Sequence, residues 1–193
     1  QHDIDARTNS EVTAIDRTAK KVTVKNLLTG ESYEETYDKL VLAPGAAPIL
    51  PGSIAGIHRA NVFTVRNVTD IRAIKAAVDQ EGIKQIVVVG GGFIGIETAE
   101  NLKKAGKDVS LIEGLEQIMA PFDYDMVQIL HKELDDHNIP LYLKSSVTAI
   151  EEGCVKAVKD GKEFTVSADA VIMAVGVAPE TALAKNAGLA IGE

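Results

Sequence analysis

The stretch at residues 87–95 reads Val-Val-Val-Gly-Gly-Gly-Phe-Ile-Gly, which predicts a buried strand, a tight turn and the start of a helix. Gly90 permits the sharp turn out of the strand, and Gly95 lets the helix pack closely on that strand. Gly92 has no Cβ, so a pyrophosphate can approach its backbone. The helix N-terminus that follows offers free N–H groups and a positive dipole end to phosphate oxygens. The stretch therefore indicates a dinucleotide-binding turn.

An acidic residue ends the next predicted strand. Glu113 follows the apolar run at residues 109–112 and lies 23 residues after Gly90. A carboxylate at this position accepts hydrogen bonds from the ribose hydroxyls of NAD and repels the 2′-phosphate of NADP. No basic residue follows at positions 114–117, so the pattern favours NADH. A tight strand–helix turn and a solvated strand-end carboxylate would explain each feature singly, whereas the combination favours a dinucleotide site.

Hydrophobic periodicity places this turn inside a β-α-β-α-β unit. Apolar residues at helical spacing predict three helices, at residues 69–78, 94–105 and 123–137. Asp123 is the predicted N-cap of the third helix. Continuous apolar runs predict four buried strands, at residues 86–89, 109–112, 141–143 and 171–175. The predicted buried stripe of the third helix consists of Met126, Ile129, Leu130 and Leu134.

Short extended segments flank this unit on both sides. Alternating residues predict an antiparallel meander before it, at residues 11–16, 21–26 and 32–37. A second set of short strands follows the unit, at residues 147–152, 155–158 and 163–166, with Asp160-Gly161 as a hairpin turn. The apolar run at residues 40–43 ends at Pro44-Gly45 and predicts a further buried strand. The pattern as a whole indicates an α/β fold, doubly wound, with a β-insert.

Composition excludes several classes of protein. The chain has 193 residues, of which 46% are hydrophobic and 25% charged, as in ordinary globular proteins. A formal net charge of −8 argues against a nucleic-acid surface and against an anionic membrane surface. The apolar runs are too short to cross a bilayer, and the first residues do not resemble a signal peptide. A cytoplasmic location is therefore expected, and neither nucleic acid nor a membrane is expected as a partner.

No catalytic or metal-binding side chain is predicted from the sequence. Cys154 is the only cysteine, lies in an acidic context and is expected to be structural. His131 and His137 are six residues apart on one predicted helix, which is not the spacing of a metal site.

Three blocks of sequence carry a resemblance to a known family. They lie at residues 90–97, 37–46 and 168–179, and they are similar to the glycine turn, the flavin-domain strand and the returning strand of the pyridine nucleotide–disulfide oxidoreductases. The chain most resembles the branch of coenzyme A disulfide reductases and NADH oxidases or peroxidases. The resemblance implies a Rossmann-like FAD/NAD(P)-binding fold with a β-meander insert. It also implies that the chain is an internal fragment of a longer enzyme.

The resemblance implies three segments and two sets of cofactor contacts. Residues 1–60 correspond to part of an FAD-binding domain with a connector, residues 61–180 to an NAD(H)-binding Rossmann domain, and residues 181–193 to the start of the return to the FAD domain. The expected NAD contacts are Gly90, Gly91, Gly92, Phe93, Ile94, Gly95, Glu97, Glu113 and Gly176. Phe93 would lie over the flavin, and Glu97 would lie near the nicotinamide. The expected partial FAD contacts are Val12, Ala43 and Gly45.

By the same resemblance, the intact enzyme passes hydride from NADH to FAD and on to a disulfide of coenzyme A type, oxygen or peroxide. A homodimer is expected for the intact enzyme. The 193 residues contain neither the first flavin-phosphate glycine cradle nor the redox-active cysteine, so the chain alone is expected to bind no FAD and to be inactive. Two alternatives stay open: a flavin reductase of a protein electron carrier, such as a rubredoxin or ferredoxin reductase, and a non-enzymatic NADH-binding sensor.

Overall fold

The computed structural model describes residues 4–192, which fall into two compact units. One unit comprises the chain up to Ala46 together with the residues from Pro179 onward, and the other spans Ala47–Ala178. The sequence predicts the first boundary later, between residues 60 and 61. In the structure, Ile54 and Ile57 are buried in a hydrophobic cluster of the second unit, and the predicted division into FAD-binding and NAD(H)-binding domains stays a prediction.

The structure contains thirteen strands and four helices in the part of the chain that it describes. In chain order these are β1 (Ser10–Asp16), β2 (Lys21–Asn26), β3 (Ser32–Thr36), β4 (Ala46–Pro48), β5 (Val62–Thr64), α1 (Val68–Val78), β6 (Gln85–Val89), α2 (Phe93–Lys104), β7 (Asp108–Ile112), α3 (Tyr124–Asp136), β8 (Leu141–Tyr142), β9 (Ser145–Glu151), β10 (Cys154–Lys159), β11 (Lys162–Ser167), β12 (Ala170–Met173), β13 (Val177–Pro179) and α4 (Ala182–Asn186).

The first unit contains the predicted antiparallel meander. Strands β1, β2 and β3 pair in that order, with a bulge in β1 between Val12 and Ala14. The predicted strand at residues 40–43 is wrong, because these residues form no regular element and Val41 is 87% exposed. An apolar run becomes a buried strand only where neighbouring strands satisfy its backbone groups, and no described strand pairs with this run.

A five-stranded parallel sheet forms the centre of the second unit. Its strand order is β5-β12-β6-β7-β8, which confirms the predicted β-α-β-α-β unit with a returning strand. Both faces of the central strands are buried, and Val87 and Val88 of β6 are 0% exposed. Continuous β-branched runs fit this position because both faces of a covered parallel sheet are apolar. Since β5 is only three residues long, it left no detectable pattern in the sequence.

Helices α1 and α3 each bury one face against the core of the second unit. Asn67 caps α1 in a capping box with Asp70, and Ile74 and Val78 of α1 are buried. The stripe predicted for α3 is partly wrong, because Met126 and Ile129 are 59% and 72% exposed. Leu134 of the predicted stripe is buried and Leu130 is partly buried, whereas the other buried position of α3, Val127, was not predicted.

Asp123 is the N-cap residue of α3, although its side chain makes no capping hydrogen bond within the described chain.

A second, antiparallel sheet of order β11-β10-β9 packs into the same unit through the cluster that contains Val155 and Ala157. Asp160 and Gly161 have φ angles of 50° and 73° and form the predicted tight turn between β10 and β11. Strands β4 and β13 pair separately. Across residues 4–192, no helix is both long enough and apolar enough to cross a membrane.

Candidate dinucleotide-binding site

The glycine turn joins β6 to α2 at the carboxyl edge of the parallel sheet. Gly90 has a φ angle of +106°, and its N–H donates to the carbonyl of Ile112 at 2.8 Å. A Cβ on Gly90 would collide with the carbonyl oxygen of Ala174, which follows β12. Both the backbone angle and the close neighbour therefore require glycine at this position.

The other two predicted glycines have opposite surroundings. A Cβ on Gly95 would collide with the carbonyl oxygen of Gly90, so this glycine allows α2 to pack tightly on the turn. A Cβ on Gly92 would meet nothing within 4 Å, and Gly92 has an extended backbone that any residue can adopt. Packing within the protein therefore explains Gly90 and Gly95, but it does not explain Gly92.

Gly92 is also the N-cap residue of α2, and it supplies no side-chain cap. The first N–H groups of a helix have no acceptor inside the helix, so they are available to an external acceptor. The positive end of the helix dipole lies at the same place. The space beside Gly92 can thus hold an anion of phosphate type.

Glu113 is tied to this turn by its side chain. Its Oε2 accepts a hydrogen bond from the N–H of Gly91 at 2.5 Å, and its Oε1 accepts one from the N–H of Leu115 at 2.8 Å. The side chain is half-buried at the end of β7. A carboxylate has about four lone-pair sites, so these two bonds leave acceptor capacity for ribose hydroxyls.

Gly91 has close neighbours on the side where a Cβ would lie. A Cβ there would lie 2.5 Å from Cγ2 of Ile118 and 3.1 Å from Oε2 of Glu113. Ile118 is fully buried and cannot move aside freely. A side chain at position 91 would therefore have to displace Ile118 or the carboxylate of Glu113.

Phe93 lies at the first position of α2 and is 61% exposed. Its ring packs edge-on against Phe122, with the ring centroids 5.9 Å apart. Ile94 and Glu97 follow on the same helix and line a cavity of about 620 Å³ between α1 and α2. The structure thus brings these three residues to the same end of the helix as the glycine turn.

Gly176 lies beyond the end of β12, two residues after Ala174, the neighbour of Gly90. Its φ angle is +119°, and its carbonyl accepts a hydrogen bond from the N–H of Ile49 at 3.0 Å. A left-handed backbone with this φ favours glycine. Turn geometry therefore accounts for this glycine without a ligand.

The predicted flavin contacts belong to the other compact unit. Val12 lies in β1 opposite Val24, and Ala43 lies in the irregular segment after β3. Gly45 has a φ angle of +76°, and its carbonyl accepts a hydrogen bond from the N–H of Glu180 at 2.9 Å. Their role toward flavin stays a prediction.

The sequence did not indicate that Ile118, His131 and Lys144 lie around the site. Ile118 fills the space beside Gly91, and its N–H lies 3.4 Å from Nε2 of His131 on α3. Lys144 lies beside the residues that follow β7, because its N–H donates to the carbonyl of Leu115 at 2.8 Å. No local motif marks these residues, since each reaches the site only through the packing of separate elements.

Comparison with known proteins identifies the family. The whole chain, residues 1–193, matches the family described as pyridine nucleotide-disulphide oxidoreductase, and the chain belongs to it. A coenzyme A disulfide reductase from Staphylococcus haemolyticus is 35% identical over 193 residues, which cover 99% of this chain and 42% of that protein. The structure of reduced Bacillus anthracis CoADR-RHD is 45% identical with a TM-score of 0.88 and covers 95% of this chain and 33% of that chain.

A further similar structure is the water-forming NADH oxidase from Lactobacillus brevis bound to NADH. It is 34% identical with a TM-score of 0.79, over 92% of this chain and 39% of that chain. An engineered variant of that enzyme, an NADPH oxidase bound to NADPH, is 31% identical with a TM-score of 0.81 over the same shares. The chain therefore spans less than half the length of these relatives.

Proposed function

We propose that the unit Ala47–Ala178 binds NADH as the nicotinamide-nucleotide domain of an FAD-dependent oxidoreductase. In the whole protein, hydride would pass from NADH to FAD and on to a disulfide of coenzyme A type, to oxygen or to peroxide. Family membership and the NADH-bound relative support this proposal. A homodimer is proposed for the whole protein on the family resemblance alone.

The observation that carries the proposal is the contrast between glycines in the turn. Gly90 and Gly95 are required by backbone atoms that a Cβ would strike, whereas Gly92 borders open space at an uncapped helix N-terminus. A cradle of this kind suits a pyrophosphate, which needs close approach to backbone N–H groups. The residues present thus fit the phosphate portion of a dinucleotide.

Each part of the site has a distinct task under this proposal. The N–H groups at the start of α2 bind the pyrophosphate, and the carboxylate of Glu113 accepts from the adenine ribose. Phe93 and Phe122 form an exposed aromatic pair beside the turn. The nicotinamide supplies hydride chemistry when it is bound, and the chain orients it. Val12, Ala43 and Gly45 would contribute part of the flavin contacts.

NADH rather than NADPH is the proposed nucleotide. The engineered NADPH oxidase differs from the NADH enzyme at five positions. At one of them a glycine becomes alanine. Eighteen residues later an aspartate becomes alanine, and the alanine directly after it becomes arginine. In this chain Glu113 likewise lies eighteen residues after Gly95, and the residue directly after Glu113 is Gly114 rather than an arginine. The acidic residue and the absence of an adjacent arginine support a preference for NADH.

The test is a substitution that fills the open space at Gly92. Gly92→Val should fold normally, because nothing lies within 4 Å of the new Cβ, and it should lose detectable NADH binding in calorimetric titration. Gly52→Val is the matched control, since Gly52 also borders open space. If the folded Gly92 variant binds NADH as tightly as the control variant, the cofactor does not lie on this turn.

A further inference from the structure

Lys144 is held beside the proposed ribose site by the backbone. Its own N–H donates to the carbonyl of Leu115 at 2.8 Å, and the next residue, Ser145, donates to the carbonyl of Glu113 at 3.0 Å. The N–H of Glu113 in turn donates to the carbonyl of Tyr142 at 2.9 Å. Three hydrogen bonds therefore fix the segment around Lys144 against the residues that end and follow β7.

The side chain of Lys144 lines a cavity of about 580 Å³ next to Glu113. Its lining includes Gly114, Leu115, Glu116, Asp123 and Lys144, so that its charged members are one lysine and two carboxylates. Lys144 is the only Lys or Arg in this set. Because Gly114 and Leu115 directly follow Glu113, this cavity lies next to the residue proposed to bind the ribose.

Lys144 has only a weak partner in the described structure. Its Nζ lies 3.5 Å from Oε2 of Glu116, and the two side chains are 59% and 71% exposed. An exposed ion pair of this kind contributes little, so the ammonium can exchange its carboxylate for a stronger acceptor. A phosphate monoester carries more charge and more acceptor oxygens than a carboxylate.

Resting on the NADH site proposed above, we propose that Lys144 is a specificity-determining residue that receives a 2′-phosphate on the adenine ribose. Glu113 disfavours that phosphate, and Lys144 offsets part of the repulsion. NADPH binding is then weakened relative to NADH, but it is not abolished. Glu116 limits the effect, because it competes with the phosphate for the same ammonium, and the carboxylate of Asp123 in the same cavity also repels the phosphate.

The experiment compares AMP with adenosine 2′,5′-bisphosphate, which differ only by the 2′-phosphate, as competitors of NADH. Lys144→Gln should weaken bisphosphate binding by about three- to tenfold, the range expected for loss of one charge-assisted contact, and should leave AMP within about twofold. Glu116→Gln should strengthen bisphosphate binding relative to AMP, because it frees the ammonium. Lys156→Gln is the matched control, since Lys156 is an exposed lysine paired with Glu151 on the antiparallel sheet.

Equal effects of Lys144→Gln on both nucleotides, or no effect on either, overturn the proposal. An unchanged ratio of bisphosphate affinity to AMP affinity in Glu116→Gln also counts against the proposal. This second variant tests the role of the Lys144 ammonium if Lys144→Gln folds poorly. AMP that fails to displace NADH from the unmodified chain would instead overturn the proposed dinucleotide site itself.

Discussion

Among single residues, Glu113 combines a structural contact with the proposed ribose contact. Its carboxylate accepts from the N–H groups of Gly91 and Leu115, so truncation leaves two backbone donors without their acceptor. Leaving the buried Gly91 N–H without an acceptor costs about 1–3 kcal/mol, whereas the exposed Leu115 can bond to water and should cost little. A variant with a shorter side chain at position 113 therefore changes both the stability of the fold and the preference between NADH and NADPH. The two effects must be measured separately.

We expect the unmodified chain to bind NADH more tightly than NADPH, and Glu113→Ala to narrow that difference while lowering the free energy of unfolding. Glu113→Gln keeps one acceptor oxygen but removes the charge, so it should narrow the difference at a smaller cost in stability. Calorimetric titration with both nucleotides and denaturant unfolding measure the two effects. Glu163→Gln, at an exposed carboxylate in β11, is the control. Equal or tighter NADPH binding by the unmodified chain would contradict the assignment of Glu113.

Among the elements, the loop at residues 113–123 connects the site to α3. Ile118 of this loop packs beside Gly91, and Met119 donates its N–H to the carbonyl of Gly91 at 2.8 Å. The N–H of Ile118 points to Nε2 of His131 at 3.4 Å, which requires an unprotonated ring nitrogen. Burial lowers the pKa of His131 below its ordinary value. The neutral imidazole is therefore the form that supports this loop.

Stability should consequently depend on pH through His131. Because the pKa is lower in the folded state, the unfolded chain binds more protons as the pH falls below about 6.5, the ordinary value for histidine. The contribution of His131 to the free energy of unfolding is then lost as the pH falls from that value through the lower pKa of the folded state. His131→Gln should show a flatter decline than the unmodified chain between pH 7.5 and 5.5 in denaturant titrations. His58→Gln, at an exposed histidine of the same unit, should keep the original slope, and a matching slope in His131→Gln would contradict the prediction.

The elements also show how far the sequence could predict this structure. The turn at residues 90–95 was predictable because backbone sterics and helix-end chemistry are local, and each glycine acts on its own neighbours. The strand at residues 40–43 was not, since an apolar run does not reveal whether other strands will pair with it. The contacts of Ile118, His131 and Lys144 depend on how α3 and the segment after β8 pack on the sheet, and periodicity carries no information about such packing.

For the whole molecule, the division into two compact units limits where a bound nucleotide can act. Every residue of the proposed NADH site, including Gly176, lies in the unit Ala47–Ala178. The meander β1–β3 belongs to the other unit. A ligand that binds only the folded state stabilises the cooperative unit that contains its site, by about 2.7 kcal/mol at a hundred times its dissociation constant.

We therefore expect saturating NADH to slow hydrogen exchange in one unit and not in the other. The largest protection should fall on amides at residues 90–95 and at 113–119, because those N–H groups contact the phosphate or belong to the loop that packs on the turn. The amides of β2, at the centre of the meander, should exchange at the same rate with and without NADH. Mass-spectrometric exchange on the full chain measures both, and Gly92→Val supplies the control in which NADH should change nothing. Equal protection of β2 and of the glycine turn would show that the nucleotide acts on both units, and the site would then extend beyond the residues proposed.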